Sequence, residues 1–315
     1  MEFLAPLLYA YQVFILYYFA LLNFLYALFA VFGLGMVARY ARELSELSLK
    51  DLLEREAYLP VSILVPTYNE ERTIVHSVRS FLALRYPEFE VIVVCDGPKD
   101  RTLEVLKEAF RLVRVDWVFR RALPTKPIRG VYRSLAHPNL LVVDKENGGK
   151  ADALNAGLNL ARYPLFCGVD ADSLLDPEAL LRASRLFLED ERVLAVGGTI
   201  RPLNGARVRE GIVEELRLPK GFLEKMQIVE YARAFFMGRA GWSAMNALLI
   251  ISGAFGLFRR SEALRAGGTA RTPWGRTWNW WSASTGGRGR RDGTAGCSTP
   301  QTPSAIRRCL PTGPP

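Results

Sequence analysis

Asp170-Ala171-Asp172 directly follows the apolar run Leu165–Val169. Along an extended strand, residues two apart point to the same side, so two carboxylates would leave the core together. Like charges that close repel unless a cation lies between them. A hard divalent ion held by one or two carboxylates and completed by phosphate oxygens is the usual solution. The spacing therefore predicts a metal–diphosphate site. An isolated Asp-x-Asp also fits a solvated turn, because turns favour aspartate, so its neighbours must decide.

Four further clusters close or open apolar runs. Val65-Pro66-Thr67-Tyr68-Asn69-Glu70-Glu71 ends one run, and Val94-Cys95-Asp96-Gly97 ends a second. Lys145-Glu146-Asn147-Gly148-Gly149-Lys150-Ala151-Asp152-Ala153-Leu154-Asn155 opens a helical pattern after a third, and Ile251–Arg260 comes last. Each residue has a plain reading when taken singly. Asp96 could open the turn before Gly97-Pro98. Glu70 and Glu71 suit a helix N-terminus, and Lys150 suits solvent. Asp152 and Asp176 read as surface or capping residues, and His76 and His137 have no ligand spacing.

The elements that must carry these clusters alternate. Val61–Val65 reads as a strand stopped by Pro66, and 71–84 as a helix. Val91–Cys95 is a second strand, followed by a helix over 101–112. Leu140–Val143 and Leu165–Val169 are strands flanking a helix over 150–161. Near-continuous apolar strands alternating with helices predict an α/β fold, with a mostly parallel sheet covered on both faces. Ligands of such sheets bind beyond the carboxyl ends of the strands, where the clusters fall. Residues 222–258 are apolar with scattered charges and read as a helix docked on lipid rather than a second span, because Arg239 interrupts them.

No charged residue occurs from Phe3 to Ala38. That exceeds the roughly 20 residues a bilayer span requires and the apolar core of a signal peptide, about 7–15 residues. Residues 1–39 therefore read as a retained transmembrane helix. Arg39, Arg42 and Lys50 follow it and only Glu2 precedes it, so the positive-inside rule places the rest in the cytoplasm at the cell membrane. Residues 40–59 read as an amphipathic linker at the lipid interface. Cys95 and Cys167 sit within apolar strand patterns as small buried hydrophobes. The net charge is +9, of which residues 269–315 supply +6. The remaining +3 is ordinary beside an anionic membrane and argues against nucleic acid as a partner.

In their order, the five clusters resemble the family 2 glycosyltransferases over roughly residues 60–265. The likeness is greatest to the membrane-bound processive branch that makes β-linked polysaccharides. The resemblance implies a GT-A fold over 60–268 and inverting transfer from a UDP-sugar to a glycan acceptor, with an accessory membrane subunit left open. It assigns Thr67, Tyr68 and Glu70 to the nucleotide pocket and Asp96 to uracil or ribose. Asp170 and Asp172 would hold Mg²⁺ or Mn²⁺, Lys150 would lie near the phosphates or donor sugar, and the segment containing Ser252 and Gly253 would flank the acceptor. Such a metal neutralises the departing diphosphate, and the acceptor hydroxyl needs a base. A nucleotidyltransferase would instead need a Gly-rich basic loop after the first strand, which Pro66–Glu70 is not.

After Gly268 the composition breaks. Residues 269–315 hold four of the six tryptophans, seven arginines and eight threonines, but no valine, phenylalanine or lysine. Such a segment cannot build a core and is expected to be disordered. The family would place its Glu-Asp base and a Gln-x-x-Arg-Trp motif here, and neither occurs in this segment. Displaced by one base, the codons of Pro273–Thr285 permit Val-Gly-Glu-Asp-Met-Glu-Leu-Val-Val-Arg-Leu-His. The expectation is a frame change near residues 268–273 and a chain impaired in transfer. The competing expectation is a non-catalytic membrane remnant or nucleotide-sugar-binding module.

Overall fold

The computed structural model describes residues 4–46, 58–203, 205–209, 211–215, 217–235, 251–269 and 305–307. Most of the linker expected over 40–59 and most of the tail lie outside the described residues, as does the stretch 236–250.

Helix α1, Leu4–Glu46, is one unbroken helix of 43 residues. At 1.5 Å per residue it is about 65 Å long, so the first turns of the expected linker continue the apolar helix. Among the described residues one helix is long and apolar enough to cross a membrane, Pro6–Gly35, and its most apolar stretch is not buried within the protein.

The catalytic-size unit that follows is built on β1 (Val61–Thr67), β2 (Phe89–Asp96), β5 (Leu140–Lys145) and β6 (Leu165–Val169). These four are parallel neighbours in the order β6-β1-β2-β5. The flanks are antiparallel. β4 (Ile128–Ser134) and β3 (Leu112–Val115) extend one side, while β10 (Phe255–Arg259) and β7 (Val193–Gly197) extend the other. The short β11 (Ala305–Arg307) borders β7, and β8 (Arg207–Arg209) pairs with β9 (Ile212–Glu215) in a separate ribbon. The expected α/β sheet is thus parallel at its centre and mixed overall.

Period-two alternation explains why both faces are covered. Ile63, Val65, Val91, Val93, Cys95, Val142 and Cys167 face one core with α2 (Ile74–Leu82), α3 (Thr102–Phe110) and α5 (Ala179–Glu189). Leu64, Ile92, Val94, Val143 and Phe166 face the other, under α4 (Lys150–Leu160) and α7 (Arg260–Arg265). Each fully buried aliphatic or aromatic side chain there contributes roughly 1.5–3 kcal/mol.

Two expectations are corrected. β1 runs through Pro66 to Thr67, because β6 pairs with β1 only as far as Leu64 and a missing N–H costs no pairing beyond it. Of the stretch 222–258 expected as one helix docked on lipid, Phe222–Ala232 form α6, residues 236–250 lie outside the described residues, and Phe255–Arg259 form the strand β10 between β6 and β7. Phe258 stacks on Phe166 at 5.2 Å, so this part of the motif serves the core.

Candidate active site

The carboxyl ends of β6, β1, β2 and β5 lie side by side, and each delivers one cluster. At the end of β6, Asp170 and Asp172 lie on a turn rather than on extended strand, with the Ser173 N–H donating to the Asp170 carbonyl at 3.1 Å. Ala171 is buried between them and both aspartates still line one cleft. The turn, rather than strand alternation, presents them together.

That cleft has a volume of about 1330 Å³. Lys150, Asp170 and Asp172 line it, with Ser252 and Gly253 opposite and Glu214, Glu230 and Tyr231 farther along. The Lys150 ammonium pairs with the Asp170 carboxylate. A Cβ placed on Gly253 would sit 3.3 Å from Lys150 Nζ, so the 252–254 segment approaches the pair closely because that position has no side chain. Five of the nine expected site residues therefore share one cleft: Lys150, Asp170, Asp172, Ser252 and Gly253.

The other four sit beside it, at the ends of β1 and β2. Thr67 is buried, and its Oγ1 has no hydrogen-bond partner. A buried hydroxyl left unpaired costs stability. Tyr68 is exposed. Asn69 adopts φ 55° and its Oδ1 accepts the Lys99 N–H at 2.8 Å. The Glu70 N–H donates to Thr102 Oγ1 at 2.9 Å, while its carboxylate accepts the Thr73 hydroxyl at 2.7 Å. These bonds stitch the loop after β1 to the loop after β2.

Asp100 anchors the second of those loops. Burial favours its neutral form, but hydrogen bonds from the Thr102 hydroxyl and N–H and the Glu71 N–H outweigh it and hold the carboxyl below the ordinary aspartate value.

Asp96 faces inward. Its carboxylate accepts the N–H groups of Gly148 at 3.0 Å and Gly149 at 2.7 Å, and it pairs with Lys145 Nζ at 2.5 Å. Lys145 and Asp152, which sequence reading left without a role, are both 0% exposed and 2.8 Å apart. Asp152 was expected as a surface or capping residue. It is buried because α4 is covered on every side from Asp152 to Leu160, which its small and apolar composition permits. A polar pattern in that helix signals burial only when Ala, Gly and Leu occupy all the other faces.

Burial pushes the Cys95 and Cys167 thiols well above their ordinary value, so both are inert packing groups. Among the described residues, no group of three or more His, Cys, Asp or Glu is arranged to hold a metal. Asp170 and Asp172 supply hard oxygen donors to a cation only if substrate oxygens complete its shell.

The family model for glycosyl transferase family 2 matches residues 62–121 and 125–261. This chain belongs to glycosyl transferase family 2. Its sheet, with helices on both faces, is the GT-A fold. The poly-beta-1,6-N-acetyl-D-glucosamine synthase of Staphylococcus epidermidis is 29% identical over 202 residues, covering 64% of this chain and 40% of that protein. The enzyme of the same name from Staphylococcus aureus (strain COL) is 28% identical over 208 residues, covering 66% and 41%. The chain thus spans about two fifths of the length of these relatives. Among solved structures, a mannosyltransferase from Pyrobaculum calidifontis in complex with GDP-Man and Mn²⁺ is 20% identical at a TM-score of 0.47, covering 77% of this chain and 59% of its own. S. aureus TarS 1-349 in complex with UDP-GlcNAc is 25% identical at a TM-score of 0.36, covering 48% and 37%. The family match spans all four strand ends, from Ser62 to the strand that follows Gly253.

Proposed function

We propose that this chain carries the donor site of a membrane-anchored, inverting glycosyltransferase that takes a sugar from a UDP-sugar to a growing polysaccharide. The observation that carries the reading is the shared cleft, where Lys150, Asp170 and Asp172 meet Ser252 and Gly253. Thr67, Tyr68 and Glu70 border the nucleotide end. Asp96 supports that end through the 148–149 amides, with its carboxylate turned away from uracil or ribose. Asp170 and Asp172 would hold Mg²⁺ or Mn²⁺, which would supply Lewis-acid neutralisation of the departing diphosphate. Lys150, paired with Asp170, sits where it would take up phosphate charge. The acceptor glycan enters past Ser252 and Gly253.

The names of the staphylococcal relatives make UDP-N-acetylglucosamine the first donor to test. Helix α1 is the anchor, with the sheet on the cytoplasmic side of a cell membrane. Residues 269–315 contain no Glu-Asp pair to serve as base, so the chain as written transfers little or no sugar. A change of reading frame near residues 268–273 accounts for that loss, and resequencing the gene tests it.

The deciding experiment is UDP titration of the full chain in detergent, with and without Mn²⁺. Binding should strengthen at least about tenfold with the metal and lose that gain in Asp170→Asn. Equal binding with and without Mn²⁺ in the wild type overturns the donor-site reading. Polymer made by this 315-residue chain alone overturns the impairment.

A further inference from the structure

We propose that Lys145 and Asp152 are positioning residues for the donor site, acting through the 146–149 loop on Lys150. Lys145 Nζ has three protons and three acceptors: Asp96 Oδ1 at 2.5 Å, the Glu146 carbonyl at 2.6 Å and Asp152 Oδ1 at 2.8 Å. The ammonium is spent entirely inside the protein. Buried charge of this kind is held only when paired and hydrogen-bonded, and the triad meets that condition. Asp96 also takes the Gly148 and Gly149 amides, and Asp152 takes the Lys126 N–H at 3.1 and 3.2 Å.

The network joins three segments that sequence does not place together. Asp96 ends β2, Lys145 ends β5, and Asp152 lies in the first turn of α4. Between the last two runs the loop whose amides Asp96 holds, and Lys150 is the residue immediately after it. The start of α4, and with it the origin of the Lys150 side chain, is fixed from two sides. Asp96 holds the amides before it, and Asp152 holds the helix to Lys145.

Steric fit supports the same role. A Cβ at Gly148 would lie 2.6 Å from Asp152 Cγ and 2.7 Å from its Oδ1. The loop and the carboxylate are in contact with no room for a methyl group. Gly148→Ala thus displaces the Asp152 carboxylate while leaving every charge in place.

The ligand arm of the test rests on the UDP-sugar reading; the exchange arm does not. Amide hydrogen exchange over residues 146–150 of the full chain, without ligand, should quicken at least about tenfold in Asp152→Asn and in Gly148→Ala. Exchange in the central strands should stay at the wild-type rate. Unchanged protection of the loop in a folded Asp152→Asn overturns the proposal. If Asp152→Asn fails to fold, Gly148→Ala alone decides by the same measure.

In the ligand arm, UDP with Mn²⁺ is titrated against wild type, Asp152→Asn, Lys150→Ala and the double variant. Each single change should weaken binding about tenfold, and the double no further than Lys150→Ala alone. A merely structural role gives additive losses, about a hundredfold in the double variant, and overturns the proposal. Wild type that binds no UDP, with the exchange result intact, refutes the donor reading and leaves the positioning network standing.

Discussion

Strand β2 carries a buried carboxylate near each end, Glu90 at its start and Asp96 at its close. At the start, Glu90 accepts the Ser62 hydroxyl at 2.6 Å and the Arg162 N–H and Nε–H, both at 2.9 Å. Tyr163 N–H closes the set on Ser62 Oγ at 3.3 Å. Every member bonds to another member. At the close, the Asp96 network continues through Gly148 and Gly149 to Lys150 and from there to Asp170 in an open cleft. The same strand thus ends in a self-contained polar joint on one side and one that leads into a cleft on the other.

The sharpest break of this contrast is Lys145→Met. It leaves two buried carboxylates without their cation and should cost about 3–5 kcal/mol of unfolding free energy, read by denaturant titration. A loss below about 1 kcal/mol means that Lys145 is not holding the two charges together. Glu90→Gln at the self-contained end should cost less, about 1–3 kcal/mol, because Arg162 is half exposed and water can replace its partner. That variant should leave UDP affinity unchanged, and weakened affinity would erase the functional difference between the two ends. Asp100→Asn tests the stitching loops at a still smaller scale. The folded Asp100 carboxyl lies below its unfolded value. Its stabilisation is therefore full above the ordinary aspartate value of about 3.9 and fades as pH falls through the folded value. The variant should flatten the acid limb of the stability–pH curve by up to about 1 kcal/mol. An unchanged limb shows that these hydrogen bonds do not favour the charged form.

Much of the central architecture is legible in the chain. The apolar runs at Val61, Val91, Leu140 and Leu165 announce four strands whose two faces are both covered, and the clusters fall at their carboxyl ends. Pattern failed where local preference yielded to pairing. Pro66 reads as a stop, yet lies in a strand because β6 has already withdrawn. Phe255–Phe258 reads as lipid-facing, yet packs in the sheet, since apolar composition does not distinguish lipid from core. β3 and β4 went unread because a half-exposed antiparallel flank dilutes the apolar signal.

The sequence by itself determined the family, the strand ends that present Thr67, Asp96, Lys150 and Asp170, and the long apolar helix before them. Residue type and order carry that information, because motifs are contiguous and periodicity is local. Only the tertiary structure decided that Asp96 turns inward, that Asp152 is buried against Lys145, and that Asp170 and Asp172 share a cleft by way of a turn. Those outcomes depend on which charges meet across β2, β5 and α4, and Coulomb energy at a few ångströms depends on distances that no sequence spacing contains.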